Sequence, residues 1–257
     1  MDILLSTRSL SAGSSPLETD MTMIVRTDIH NRLLQALDPE AFDMLHSGME
    51  RVQLPLRTVL VESDQPTDHV FFLESGLASV VARTVDDEAI EVGHVGWEGL
   101  CGTHRLLRLE TTPNRTFMQI EGHAIKVPVQ VLFRLIEEDV RSRDLFLHYI
   151  HTCELQLAHS ALANGRYNMV ERLSRWLLMC HDRIRHDDMA LTHEFLSLML
   201  GVRRSGVTDN LHILEGMRAI KATRGRILIR DRAKLEEIAG GCYGSPEKEY
   251  DRLIGSR

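Results

Sequence analysis

Residues 191–230 read LTHEFLSLMLGVRRSGVTDNLHILEGMRAIKATRGRILIR. Thr192 is placed to cap a helix, because a threonine hydroxyl there accepts a backbone N–H that the first turn leaves unpaired. Phe195, Leu196, Leu198, Met199 and Leu200 supply a short apolar helix. Gly201 ends it, since glycine adopts the left-handed conformation of a tight helix end at little steric cost. Val207, Leu211 and Leu214 then recur at i, i+4 and i+7, one face of a second helix. The other face carries Arg203, Arg204, Ser205, Thr208, Asp209 and His212. Two short helices about a glycine turn, the second basic at its leading end, describe a helix-turn-helix. Arg224-Gly225-Arg226, followed by Ile227-Leu228-Ile229, suits the tip of a β-hairpin wing. Spacing alone also fits a helical hairpin with a solvated basic face that never meets DNA.

The chain around this stretch has 257 residues and 43% hydrophobic content, enough for one large or two medium domains with real cores. Its net charge of −7 argues at first against nucleic acid, but the distribution is uneven. From Arg166 onward there are 17 Lys and Arg against 13 Asp and Glu; residues 1–165 hold 13 against 24. The C-terminal part can therefore approach DNA and the acidic part cannot. No apolar run reaches the roughly 20 residues that span a bilayer, so no membrane partner is expected. The first 20 residues lack a basic start followed by an apolar run, which excludes a signal peptide and makes the cytoplasm the expected location. Cys101, Cys153, Cys180 and Cys242 form no CxxC pair and read as small buried hydrophobes rather than metal ligands.

Residues 1–27 are rich in Ser and Thr without a clear period, and read as a disordered tail or an over-long start, with Met21 and Met23 as alternative initiators. A helical pattern begins at Asp28, with Ile29, Leu33, Leu34 and Leu37, and a second piece opens at Pro39. Residues 51–127 change period. Short apolar runs at Val52-Leu54, Val59-Val61, Val70-Leu73, Ala78-Val81 and Ala89-Val92 are separated by turn clusters, which suggests a sandwich or roll. Val129 to Glu138 looks like a short helix opened by Pro128, and Arg141 to Ala163 like a longer one. Phe146, Ile150, Cys153 and Leu157 are spaced 4, 3, 4 along it, a heptad-like stripe that could face a partner helix or the protein's own roll. Asn164-Gly165 breaks the pattern and marks a domain boundary.

LTHEFLSLMLGVRRSGVT closely resembles the DNA-binding motif of the Crp/Fnr family of bacterial transcription regulators. VERLSRWLLMCHDR resembles the helix that supports that motif, and HVFFLESGLASVVARTVDDEAIEVGHVGWEGLCG resembles the central strands of the family's cyclic-nucleotide-binding domain. The match runs from about Asn31 to Cys242-Tyr243 in the family's order. It implies an α+β chain with an N-terminal β-roll (a double-stranded β-helix, or jelly roll) sensor-like domain, a long dimerisation helix and a C-terminal winged helix-turn-helix. The expected divisions are a tail (1–27), the cyclic-nucleotide-binding-like roll (28–140), the helix (141–165), the DNA-binding domain (166–245) and a C-terminal tail (246–257). The resemblance also turns the Phe146, Ile150, Cys153, Leu157 stripe towards a partner, since members dimerise through this helix.

In cyclic-nucleotide-binding members an arginine–serine pair holds the cyclic phosphate and a glycine–glutamate pair the ribose. Arg115-Thr116 match the phosphate pair in type and place, an arginine fork beside a hydroxyl. The ribose glutamate does not match, because Glu98 precedes Gly99 rather than following it. Leu157 and Ala158 stand where cyclic-AMP-responsive members place base-facing hydroxyls. Such a cassette should not depend on cyclic AMP. His94, Cys101 and His104 cluster in sequence and are the candidates for a haem ligand, but lone His and Cys are more often structural, and no cofactor is expected.

No catalytic residue and no metal site is indicated. Thirteen histidines form no HExxH, no Gly-rich phosphate loop exists, and His148-Tyr149-Ile150-His151 and His181-Asp182-Arg183 read as helix surface. The expectation is a transcription regulator, not an enzyme, whose partners are double-stranded DNA, a second copy of itself and RNA polymerase. Thr192, His193, Arg203, Arg204, Ser205, Thr208, Asp209, Arg224 and Arg226 are its candidate DNA contacts. The alternative is a cyclic-nucleotide- or small-molecule-binding module whose C-terminal domain meets a protein.

Overall fold

The computed structural model describes residues 24–86 and 88–255, together with the strand pairing of Thr19-Asp20 (β1). The expected N-terminal tail otherwise lies outside the described residues up to Met23. Its last part is folded: Ile24 is buried, and a 3-10 turn spans Arg26–Asp28.

Asn31 opens α1 (Arg32–Gln35) and Pro39 opens α2 (Pro39–His46). Asn31 is fully buried, and its side-chain oxygen accepts from the N–H groups of Leu33 and Leu34. Its amide nitrogen donates to the carbonyls of Leu73 and Gly99, so one residue caps a helix and stitches it to two turns of the roll.

The roll contains β2 (Glu50–Leu54), β3 (Val59–Val61), β4 (His69–Leu73), β5 (Leu77–Arg83), β6 (Ala89–Val95), β7 (Leu100–Cys101), β8 (Arg115–Ile120) and β9 (Gly122–Pro128). One sheet has the order β1-β2-β9-β4-β7 and the other β3-β8-β5-β6. Phe71 and Leu73 point into the space between the sheets, while Val70 and Phe72 join the core under the helices. Period-2 geometry sends alternate side chains to opposite faces, and here both faces are buried, so β4 is apolar from Val70 to Leu73. The expected strands stop at Val92, but β8 and β9 complete both sheets. Gly76 sits in the β4–β5 turn at φ +80°, where a Cβ would lie 2.6 Å from the Ile120 carbonyl oxygen.

Helix α3 (Val129–Glu138) leads into α4 (Val140–Arg166), capped by the Asp139 side chain on the N–H of Ser142. The helix runs through Asn164 and Gly165, where a break was expected, and ends at Tyr167. A single glycine near a helix end costs only about 1 kcal/mol, less than tertiary packing returns. Asn168 then caps α5 (Met169–Ile184) in a capping box with Glu171.

The C-terminal domain continues with β10 (Asp188–Met189), α6 (His193–Leu200), α7 (Arg204–Gly216), β11 (Ile220–Thr223), β12 (Arg226–Ile229) and α8 (Arg232–Ala239). β10-β12-β11 form an antiparallel three-stranded wing. The expected C-terminal tail is instead α9 (Ser245–Leu253), with Pro246 in its first turn. Pro246, Tyr250, Leu253 and Ile254 repeat at i, i+4, i+7 and i+8, an amphipathic face, and Tyr250 and Ile254 join the core under α4.

Candidate nucleic-acid interface

The helix-turn-helix is built as its residues require. The Thr192 hydroxyl accepts from the Phe195 N–H at 3.2 Å, and Gly201 closes α6 at φ +63°. A Cβ on Gly201 would also meet the Ile90 side chain at 2.9 Å. Phe195, Leu196, Met199 and Leu200 of α6 share one core with Val207, Leu211 and Leu214 of α7. That packing turns Arg203, Arg204, Ser205 and Asp209 outward, and all four are exposed.

His193 and Thr208 do something more specific than line the surface. His193 Nδ1 and Thr208 Oγ1 are 3.0 Å apart, and the threonine hydroxyl also lies 3.1 Å from the Arg204 carbonyl oxygen. The pair fixes the angle of the two helices at the end where the basic residues emerge. Both residues are only partly exposed.

At the wing, Gly225 makes the β11–β12 turn at φ +75° and Arg224 is exposed with no partner among the described residues. Arg226 differs. Its guanidinium grips Asp188 of β10 with contacts of 2.6, 3.0 and 3.1 Å, and this hydrogen bonding holds the Asp188 carboxyl below its ordinary value. The two wing arginines therefore stand in different electrostatic settings, which their shared motif does not reveal.

The roll holds a cavity of ≈ 150 Å³ whose wall includes Val61, Asn114, Thr116, Gln156 and Leu157. Thr116 is buried there, but Arg115 lies outside and pairs with Glu62 at 3.1 Å. Glu98 does not line this cavity either: Arg183 of α5 donates to it at 2.7 Å, and the Gly96 N–H at 3.1 Å. His94, Cys101 and His104 all reach the cavity wall. Burial pushes the Cys101 thiol far up and the His104 imidazole down, so both favour their neutral forms.

The expected dimer stripe is divided. Phe146 is 1% exposed and its ring stacks at a tilt on Phe72 inside the protein's own core, and Ile150 and Cys153 pack on the same core. Leu157 is 47% exposed, as are Leu147 (47%) and Leu162 (46%), and Ala158 and Ala161 lie on the exposed side with them. The heptad stripe therefore follows the side of α4 that faces the core, with Leu157 alone of the four exposed.

Residues read as helix surface also have other roles. Tyr149 is buried with its hydroxyl 3.1 Å from the Leu100 nitrogen. Asp182 accepts from Arg232 and Tyr243, both at 2.7 Å. With Arg183–Glu98, these contacts join α4 and α5 to the roll and α5 to the C-terminal helices, a function that a single stretch of sequence does not display.

A β-roll, a long connecting helix and a winged helix-turn-helix with an exposed basic lead make a two-domain architecture. Residues 171–238 match the Crp-like helix-turn-helix domain. The whole structure is similar to a Crp/Fnr-family transcriptional regulator from Eubacterium rectale, at 14% identity and TM-score 0.63 over 80% of this chain and 97% of that one. It is similar to FixK2 from Bradyrhizobium japonicum, at 16% and 0.65 over 75% and 98%. A CRP-family transcriptional regulator from Thermus thermophilus matches at 17% and 0.63 over 75% and 98%. A search of curated protein sequences returned no match. The fold is that of the Crp/Fnr regulators, with a Crp-like helix-turn-helix domain at residues 171–238. Among the described residues no helix is long and apolar enough to cross a membrane.

Proposed function

We propose that this chain is a homodimeric, sequence-specific transcription regulator that binds an inverted-repeat operator without needing cyclic AMP. The observation that carries the reading is the exposed lead of α7, where Arg203 and Arg204, whose side chains have no partner among the described residues, stand beside Ser205 and Asp209 over a helix pair locked by His193 and Thr208. Arginine in that position reads guanine edges in a major groove, and phosphate contacts from Thr192 and the wing set the register. Two copies related by a two-fold axis present two such helices about 34 Å apart, which is one turn of DNA.

The second copy docks on the outer side of α4, through Leu147, Leu157, Ala158, Ala161 and Leu162. Independence from cyclic AMP is supported by the Arg115–Glu62 pair and by the engagement of Glu98 with Arg183, which take both charged groups away from the roll cavity. Selection of bound sequences from random duplex DNA tests the whole reading. It should return a two-fold symmetric site, with and without cyclic nucleotides; recovery of no consensus would refute it.

A further inference from the structure

Between β6, α4 and α5 lies a small cavity of ≈ 40 Å³, separate from the larger roll cavity. Its wall includes Glu91 and His94 of β6, Gln156 and Ser160 of α4, and Arg172 and Arg175 of α5. Four of these residues carry a buried polar atom that no other group among the described residues satisfies: Glu91 Oε2, His94 Nε2, Arg172 Nε and Arg175 Nη2. Arg175 is 6% exposed, and among the described residues no carboxylate pairs with it. Burial pulls its pKa below the ordinary arginine value, outweighing the attraction of Glu247 and Glu91, the signature of a charge short of solvent. A buried guanidinium without a partner is costly, and so many orphaned atoms around one space call for an occupant.

The larger cavity of ≈ 330 Å³ nearby offers a contrast. Its charged groups satisfy one another, as in Arg183 with Glu98 and Arg232 with Asp182, and of the four residues with orphaned atoms only His94 reaches its wall.

The donors and acceptors around the small cavity specify what fits. Two guanidinium groups against one carboxylate on the wall, with Glu247 attracting Arg175 from outside it, favour an anion. Glu91 Oε1 already accepts from the Trp176 indole at 2.8 Å and lies 3.1 Å from His94 Nδ1. A carboxylate oxygen only accepts, so the proton sits on Nδ1, and in the neutral ring Nε2 is then an acceptor. The open groups are thus arginine donors together with the acceptor Glu91 Oε2 and, in the neutral ring, His94 Nε2. An anion that both accepts and donates matches this set. Hydrogen phosphate and dihydrogen phosphate carry P–OH groups; sulfate at neutral pH carries none. The volume is several times the ~10–15 Å³ needed for one water, and too small for a nucleotide.

We propose that Arg172, Arg175, Glu91 and His94 form a site for inorganic phosphate at the junction of the roll and the DNA-binding domain, selective over sulfate through the P–OH donor. Occupied, it ties β6 to α5. Through the Arg172 Nη2 contact with the Leu200 carbonyl oxygen at 2.8 Å, it also reaches the C-terminal end of α6.

The site is tested on the free full-length chain, apart from any DNA measurement. Inorganic phosphate is titrated by calorimetry and by thermal unfolding, with sulfate and chloride at matched ionic strength. A saturable phosphate response is expected, with sulfate weaker by about tenfold or more. Arg175→Met and the less buried Arg172→Gln should each weaken phosphate binding by about tenfold. A site filled by water alone would give no saturable heat and would overturn the proposal. Equal responses to phosphate and sulfate, or unchanged binding in a folded Arg172→Gln protein, would do so as well.

Discussion

The Trp176 indole N–H donates to Glu91 Oε1 at 2.8 Å, a hydrogen bond from the DNA-binding domain to a buried carboxylate of the roll. The Trp176 ring also meets His94 edge-on, with centroids 6.0 Å apart, and Phe195 at 5.7 Å. One residue thus contacts the roll, its own helix and the first helix of the helix-turn-helix. Together with Gly201 against Ile90 and Trp97 Nε1 on the Asp182 carbonyl oxygen at 3.0 Å, it seats the DNA-binding domain on the roll.

Trp176→Phe keeps most of the ring packing and removes only the donor. The expected cost is about 1.5–3 kcal/mol, the range for a hydrogen bond to a charged group. Urea unfolding should show a lower midpoint, and proteolysis at Tyr167-Asn168 should be faster. If both are unchanged, the bond does not hold the domains together.

How far the chain could be read in advance depended on whether the signal was local. Thr192, Gly201 and the Val207, Leu211, Leu214 face each act within one turn, and their reading carried over to α6 and α7. Pro128 and Pro39 mark helix starts for the same reason. Strands β8 and β9 were harder, because Arg115–Ile120 and Gly122–Pro128 place polar residues among apolar ones in sheets covered on both sides. The phase of α4 was ambiguous because the helix is apolar on two sides: Phe146 belongs to the core and Leu147 to the surface. At the candidate interface, the positions of Arg203 and Arg204 were legible, whereas Arg226–Asp188 joins residues 38 apart and needed the fold.

Arg204 should read a base. Arg204→Ala is expected to cost ~1–3 kcal/mol on the preferred operator and to relax one position per half-site. Competition with substituted operators measures this. A uniform loss on every sequence would place Arg204 on the phosphate backbone instead.

The wing arginines should separate. Arg224 has no partner among the described residues, so Arg224→Ala should make the salt dependence of DNA binding shallower by about one counter-ion. Arg226→Ala frees the Asp188 carboxylate, so it should weaken binding by adding a negative charge near DNA as well as by removing a positive one. Double replacement Arg226→Ala with Asp188→Asn should recover part of that loss. The sign of the pH effect follows from Asp188, whose carboxyl is held low chiefly by the Arg226 hydrogen bond. The pair's contribution is present above the ordinary carboxylate pKa and disappears as pH falls through the depressed folded value. Recovery absent in the double variant would remove Asp188 from the account.

Two residues of α4 should fail in different ways. Phe146→Ala empties a core position and is expected to cost about 3–5 kcal/mol in the stability of each chain. Leu162→Asp changes an exposed residue, so the fold should stand while sedimentation shows monomers with weak half-site binding. Ile150→Asp should fail as Phe146→Ala does, because Ile150 packs on the core. A Leu162→Asp protein that remains a dimer would place the second copy elsewhere.

Operator binding should be indifferent to cyclic AMP. A ligand shifts the DNA-competent state only by its differential affinity for the two states. Strong binding in the roll would need Arg115 to leave Glu62 and turn towards the Thr116 cavity. It would also need a ribose acceptor, and Glu98 is engaged by Arg183 on the other side. Leu157 lines the cavity where a hydroxyl would have to meet the base, and Ala158 points to the exposed face of α4. Operator affinity should therefore move less than about threefold, under ~0.7 kcal/mol, at millimolar cyclic AMP. Titration of cyclic AMP against the full-length chain, following calorimetric heat and operator binding together, measures both halves of the argument. A saturable heat with a tenfold gain in operator affinity would mean that Arg115 does exchange Glu62 for a cyclic phosphate. Heat without a gain would mean that the roll binds the nucleotide but does not pass the signal through α4 and Trp176.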